Sequence, residues 1–244
     1  MSADPNHFAW TKLANITSNV GQPFINKHDH VILPIKAGRE LYRFLRYDSI
    51  KDKCIQIWKL DNPIDCWPNS YAVDIENEIM YIPTTKGIFT FNLKKNTVNI
   101  NEMPKNDGDI DDEDIKSAFI AGKLHIFQFD SGSAIHTIYD PKSHEYEDQE
   151  IEIEDYSFDT GCMLHIPSQN KLIFFGGSLD ADIVSFDLDT YEFMKINTLK
   201  SILIHDEPGV VLTKDERYII IFCWQRKKRK VVSRKANIEI IDMK

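Results

Sequence analysis

The sequence predicts an all-β fold, and three observations carry that prediction. Short apolar runs are separated every ten residues or so by Pro, Gly, Asn or Asp, a spacing that suits strands and turns and interrupts helices. The runs recur in groups of four, and five such groups follow one another along the chain. Within each group the second run is apolar at successive positions, which asks for cover on both faces.

The clearest unit spans residues 161–197. It opens with GCMLHI, turns at PSQN, and continues with LIFF up to Gly176-Gly177. A polar loop leads to IVSFDL, and a second turn leads to YEFMKI. The predicted second strands of the five units are 31–36, 79–84, 124–129, 172–175 and 218–223. Polar hairpin turns precede them: NKHDH, ENE, AGK, PSQNK and KDER. The third strands end in an aromatic or aliphatic residue followed by Asp or Asn: Tyr47-Asp48, Phe91-Asn92, Tyr139-Asp140, Phe186-Asp187 and Ile241-Asp242. An Asp or Asn there can accept hydrogen bonds from the backbone of the next turn. Successive positions of that residue lie 44, 48, 47 and 55 apart, the last interval holding the insertion QRKKRKVVSRK.

A period in the mid-forties is the size of a four-stranded propeller blade. The predicted architecture is a single β-propeller domain over residues 1–244, with units at roughly 20–60, 70–103, 115–153, 161–197 and 208–244. The last unit holds three strand runs, and Phe8–Leu13, with Trp10, offers the fourth. The expectation is therefore five four-stranded blades, with the N-terminal strand closing the last.

The repeat resembles the kelch family, whose unit joins an apolar strand and a double glycine to an aromatic-Asp pair and a second aromatic six positions later. LIFFGG, Phe186-Asp187, Thr190 and Phe193 carry this spacing, as do Tyr139-Asp140, Ser143 and Tyr146. Phe91-Asn92 with Val98 is a weaker copy, and the first unit has Cys54 in the aromatic slot. Other propellers share the period, the WD type among them, although no Trp-Asp dipeptide occurs. The resemblance implies a disc that presents loops for binding, and no accessory domain is evident beside the repeats.

Bulk properties narrow the function. A formal net charge of −9 argues against general nucleic-acid binding. Cys54, Cys66, Cys162 and Cys223 are widely spaced, as expected of reduced thiols rather than a disulfide framework or a zinc site. The first residues, MSADPNHFAW, lack the pattern of a signal peptide, and the longest apolar run, 218–224, is too short to span a bilayer. Asn15-Ile16-Thr17 matches a glycosylation acceptor, which has no use without secretion. The expectation is a cytoplasmic monomer, with the nucleus as an alternative destination.

Two charged loops are the candidate binding segments. Arg226, Lys227, Lys228, Arg229, Lys230, Arg234 and Lys235 lie between the second and third strands of the last unit. They resemble a nuclear localisation signal, and also suit a solvated hairpin extension or the docking of an acidic partner. Asp107, Asp109, Asp111, Asp112, Glu113 and Asp114 lie between the second and third units. Their spacing resembles a calcium loop, but lacks the Glu and Gly at the required positions. Self-neutralisation and partner recognition are the other readings.

No catalytic constellation stands out. His28-Asp29-His30 lacks a third metal ligand, and His125 and His165 sit in or beside apolar strands, where structural roles are commoner. No GxSxG, Walker or GxGxxG sequence occurs. The predicted function is a non-enzymatic protein-interaction module or adaptor, without cofactor or metal. The alternative is a propeller enzyme, carbohydrate-active or an isomerase, with a site in the central channel.

Overall fold

A computed structural model of the chain describes residues 19–20, 24–25, 31–37, 40–48, 53–65, 70–84, 87–95, 97–101, 115–130, 133–153, 162–175, 183–196, 209–212, 215–224 and 236–242. The chain divides into two compact units, Met1–Ile64 and Asp65–Lys244. All regular structure among the described residues is β, apart from one turn of 3₁₀ helix at Pro167–Gln169. Among the described residues, no helix is long and apolar enough to cross a membrane.

The first unit is one antiparallel sheet of β1 (Asn19–Val20), β2 (Phe24–Ile25), β3 (Val31–Ala37), β4 (Glu40–Asp48) and β5 (Lys53–Asp65). The path runs β1-β3-β4-β5, and β2 also pairs with β3. Asn19 and Val20 face Lys36 and Ile35, while Phe24 and Ile25 face Ile32 and Val31. Leu33, Ile35 and Leu45 form its buried cluster, with Tyr42 and Cys54 packed against them. Phe44 meets Trp58 edge-on at 5.8 Å.

The second unit is a series of four-strand meanders. Blade I holds β6 (Ala72–Asp74), β7 (Ile79–Thr84), β8 (Gly87–Asn92) and β9 (Thr97–Asn101). Blade II holds β10 (Ile115–Ile120), β11 (Lys123–Asp130), β12 (Ser133–Tyr139) and β13 (Tyr146–Glu152). Blade III holds β14 (Cys162–Ile166), β15 (Lys171–Phe175), β16 (Ile183–Asp187) and β17 (Phe193–Ile196). Blade IV shows β18 (Gly209–Leu212), β19 (Tyr218–Trp224) and β20 (Ala236–Asp242). The first strands of successive blades touch, β6 to β10, β10 to β14 and β14 to β18. This is a β-propeller arrangement, and its apolar cores lie between blades rather than within one closed shell.

Three seams result. Between blades I and II, Ala72, Tyr81 and Ile88 meet Ile115, Leu124, Ile126 and Tyr139. Between II and III, Phe127, Phe129 and Ala134 meet Leu172, Phe174, Val184 and Phe186. Between III and IV, Cys162, Ile173, Phe175 and Ile183 meet Val210 and Ile219. The successive apolar positions of the second strands are thus explained: neighbouring residues of one strand enter different seams. Cys162 is buried and Cys54 half-buried.

The propeller has four blades, not five. The first repeat unit forms the separate five-stranded sheet, and its geometry shows why it departs from the blade pattern. Where a blade has one first strand against its second, here two dipeptide strands share β3. Gly21 and Pro23, types that interrupt a strand, stand between them in the sequence. A register shift between Ile35 and Lys36 then bends the β3–β4 ladder. The expected closing strand, Phe8–Leu13 with Trp10, lies outside the described residues, and blade IV shows three strands among them.

Candidate functional site

One end of the propeller blades is built from tight turns that satisfy their own backbone. Each first-to-second-strand turn contains a left-handed residue: Glu78 (φ 55°), Ala121 (φ 50°, followed by Gly122 at φ 85°), Asn170 (φ 49°) and Glu216 (φ 53°). His144 (φ 61°) and Tyr191 (φ 60°) do the same in the third-to-fourth turns of blades II and III. The Asx residue ending the third strand accepts the turn amides, as its sequence position anticipates. Asn92 Oδ1 accepts from Lys94 and Lys95 at 3.1 and 2.8 Å. Asp140 Oδ1 accepts from Lys142 and Ser143 at 2.8 and 3.4 Å, and Asp187 Oδ1 from Asp189 and Thr190 at 2.9 and 3.2 Å. Those amide bonds, Lys142 first for Asp140 and Asp189 first for Asp187, hold both carboxyls below their usual range. The two turn sets are tied together, Leu93 N donating to Glu78 O at 2.8 Å and Leu188 N to Asn170 O at 3.1 Å.

At the outer part of the seam between blades I and II the sheets part into an open cleft of about 350 Å³. Ile79, Tyr81, Thr90, Asn92, Asn99, Pro141 and His144 line it. Strand register brings the first five together: Ile79 stands opposite Asn92, Tyr81 opposite Thr90, and Thr90 opposite Asn99. Pro141 and His144 come from the third-to-fourth turn of blade II. Tyr81 is only 3% exposed and stacks on Phe119 with centroids 5.2 Å apart. Burial first, then Asp74 and Tyr139, push its phenol up to about 12, so the hydroxyl stays protonated. The Tyr139 hydroxyl and His144 Nδ1 lie 2.7 Å apart, which fixes the imidazole.

The seam between blades II and III contains a histidine pair inside an aromatic cluster. His125 Nδ1 and His136 Nε2 lie 3.1 Å apart. His136 is 1% exposed, stacks on Phe127 at 4.3 Å and meets Phe186 edge-on at 5.4 Å. Burial, then the neighbouring His125, pushes His136 down to about 3. Burial, then His165 and Lys123, pushes His125 down to about 4. Burial also lowers His165, against the opposing pull of Glu216. His136 Nδ1 and His165 Nε2 have no hydrogen-bond partner among the described residues. His136 is sealed among aromatic rings and His125 is half-buried beside it, so burial holds both imidazoles neutral.

The sequence-predicted binding segments, Arg226–Lys230 with Arg234 and Lys235, and Asp107, Asp109 and Asp111–Asp114, lie outside the described residues, as does His28-Asp29-His30. Among the described residues, no group of three or more His, Cys, Asp or Glu is placed to hold a metal ion. The cleft and His136 had no motif to announce them. Their only sequence signal is polar residues at inward positions of otherwise apolar strands, Thr90 and Asn92 in GIFTFN and His136 in SAIHTIY.

No protein-family model and no curated protein sequence matches the chain. Solved structures do. The chain is similar to TolB from Acinetobacter baumannii, with a TM-score of 0.57 at 9% identity, over 92% of this chain and 52% of that one. An auxiliary nutrient binding protein from Bacteroides ovatus gives 0.57 at 7% identity, over 87% and 57%. A protein from Lactobacillus plantarum gives 0.54 at 11% identity, over 94% and 72%. The chain spans about half the length of the first two. At such identities the likeness concerns the β-propeller fold alone.

Proposed function

We propose that the protein is a non-enzymatic protein-interaction module that binds through the loops at one end of its blades. The contrast between the two ends carries this reading. In a four-strand meander, the first-to-second and third-to-fourth turns share one end; the second-to-third and blade-to-blade connections share the other. The turns at the first end consume their own hydrogen-bonding groups, as with Asn92, Asp140 and Asp187. In the sequence, the stretches that join β9 to β10 and β19 to β20, residues 102–114 and 225–235, hold the acidic and basic clusters. A rigid scaffold with variable, charged connections at one end is suited to recognising a partner.

In this reading the basic segment docks an acidic surface or directs nuclear entry, and the protein is otherwise a cytoplasmic monomer. The repeats are of kelch type, a reading supported by Phe186 and Phe193 in contact at 4.7 Å on either side of the Asp187 turn. The test replaces Arg226, Lys227, Lys228, Arg229, Lys230, Arg234 and Lys235 with Gln and compares captured partners and cellular distribution with wild type. Loss of a partner or of nuclear signal supports the reading; an unchanged partner set and distribution remove this segment from it.

A further inference from the structure

We infer that the cleft between blades I and II is a binding site for a small neutral polyhydroxylated ligand, a saccharide of one or two rings. The inference is independent of the partner-binding loops and begins from the lining. Tyr81, Thr90, Asn92 and Asn99 offer hydroxyl and carboxamide groups, Ile79 and Pro141 offer apolar surface, and His144 adds an imidazole. Among the described residues no Lys, Arg, Asp or Glu lines the cleft, although charged residues make up 27% of the chain. An uncharged lining offers nothing to offset the desolvation of an ionic ligand, and so selects against one. Mixed hydroxyl-bonding and C–H-contacting groups match a sugar ring, which presents hydroxyls at its edge and C–H groups on its faces. The volume of about 350 Å³ falls at the lower end of the roughly 300–1,000 Å³ of small-molecule sites.

Asn92, His144 and Tyr81 are held in place before any ligand arrives. Asn92 Oδ1 is committed to the amides of Lys94 and Lys95, which leaves its Nδ2 as a donor. His144 Nδ1 is committed to Tyr139, which leaves Nε2. Tyr81 is held by its stack on Phe119, and its phenol remains a neutral donor and acceptor. Thr90 and Asn99 are register partners on adjacent strands, so their side chains emerge together from one sheet face. Preorganised donors and acceptors reduce the ordering cost of binding.

The test uses the full chain and methyl glycosides of glucose, galactose, mannose and N-acetylglucosamine as probes. Saturation-transfer NMR at millimolar sugar reads binding, and amide shifts locate it. The expected result is transfer to at least one neutral glycoside, with shifts at Tyr81, Thr90, Asn92, Asn99 and His144. Asn99→Leu and Thr90→Val should each weaken that binding by up to about tenfold through loss of a hydrogen bond to the ligand. The shift map in wild type keeps the proposal testable should a variant fail to fold. Absence of transfer from all four glycosides, shifts elsewhere in the protein, or unchanged affinity in folded Asn99→Leu would each overturn it. Preference for glucuronate or glucose 6-phosphate over the neutral sugars would do the same.

Discussion

Lowering the pH from 7 to 5 is expected to remove about 4 kcal/mol of stability from the four-bladed unit through His125 and His136. In the folded protein these groups titrate near 4 and near 3, against an ordinary value of 6.5. Between those limits the unfolded chain takes up protons that the native protein refuses, so stability rises with pH. The contribution is complete above the ordinary histidine value and is lost as pH falls towards the folded values. At pH 5 each unfolded imidazole is almost fully protonated and each folded one almost fully neutral, which amounts to about 2 kcal/mol per histidine. The depressed carboxyls of Asp140 and Asp187 act in a separate window, because their contribution is lost only below the ordinary carboxylate range. The assay is urea unfolding followed by circular dichroism at pH 7, 6 and 5, with the slope m checked for constancy. His136→Phe extends the ring cluster of Phe127 and Phe186 and should roughly halve the loss; His125→Gln with His136→Phe should nearly abolish it. Equal stability at pH 7 and 5 in wild type, or an undiminished loss in the double variant, would refute the reasoning.

Three further outcomes follow from the same geometry. Ala121→Asn should raise unfolding free energy by about 0.5–1 kcal/mol, because Asn tolerates the left-handed backbone and Asn-Gly is the favoured hairpin pair; a lower urea midpoint would contradict this. Phe127→Ala should cost about 3–5 kcal/mol, since the ring is fully buried against Phe129, Phe174 and Phe186. An effect near zero in the same urea titration would show that the seam repacks. Asp187→Ala should lower the thermal midpoint while Asp187→Asn largely preserves it, because Asn92 already fills the equivalent turn position with an amide oxygen. Equal losses in the two variants would assign the effect to charge instead of the turn.

Much of the fold was legible because strand and turn chemistry are local. The predicted second strands at 79–84, 124–129, 172–175 and 218–223 match β7, β11, β15 and β19 to within a residue at each end. Asp and Asn at the third-strand ends are turn acceptors by local chemistry, and Asn92, Asp140 and Asp187 accept as expected. The first unit misled because β3 carries the same apolar run as a blade's second strand. Its pairing with two short strands depends on how distant segments share one ladder, which periodicity does not encode. The cleft was invisible for a related reason. Its lining joins β7, β8 and β9 to a turn about fifty residues later, a grouping set by the seam between sheets.

The division of β11 between two seams has a consequence for how the sequence tolerates change. Leu124 and Ile126 enter the seam toward blade I, beside Ile88, Ile115 and Tyr139, whereas Phe127 and Phe129 enter the phenylalanine-rich seam toward blade III. The strand is thus a partition wall with a different lining on each side, and odd and even positions spell two separate messages. A one-residue insertion or deletion in β11 would exchange those messages, sending its phenyl rings and His125 toward blade I. Substitutions that preserve parity disturb one compartment only. Each seam is therefore free to drift in composition independently, which allows propeller blades to keep their shape while the similarity between their sequences fades.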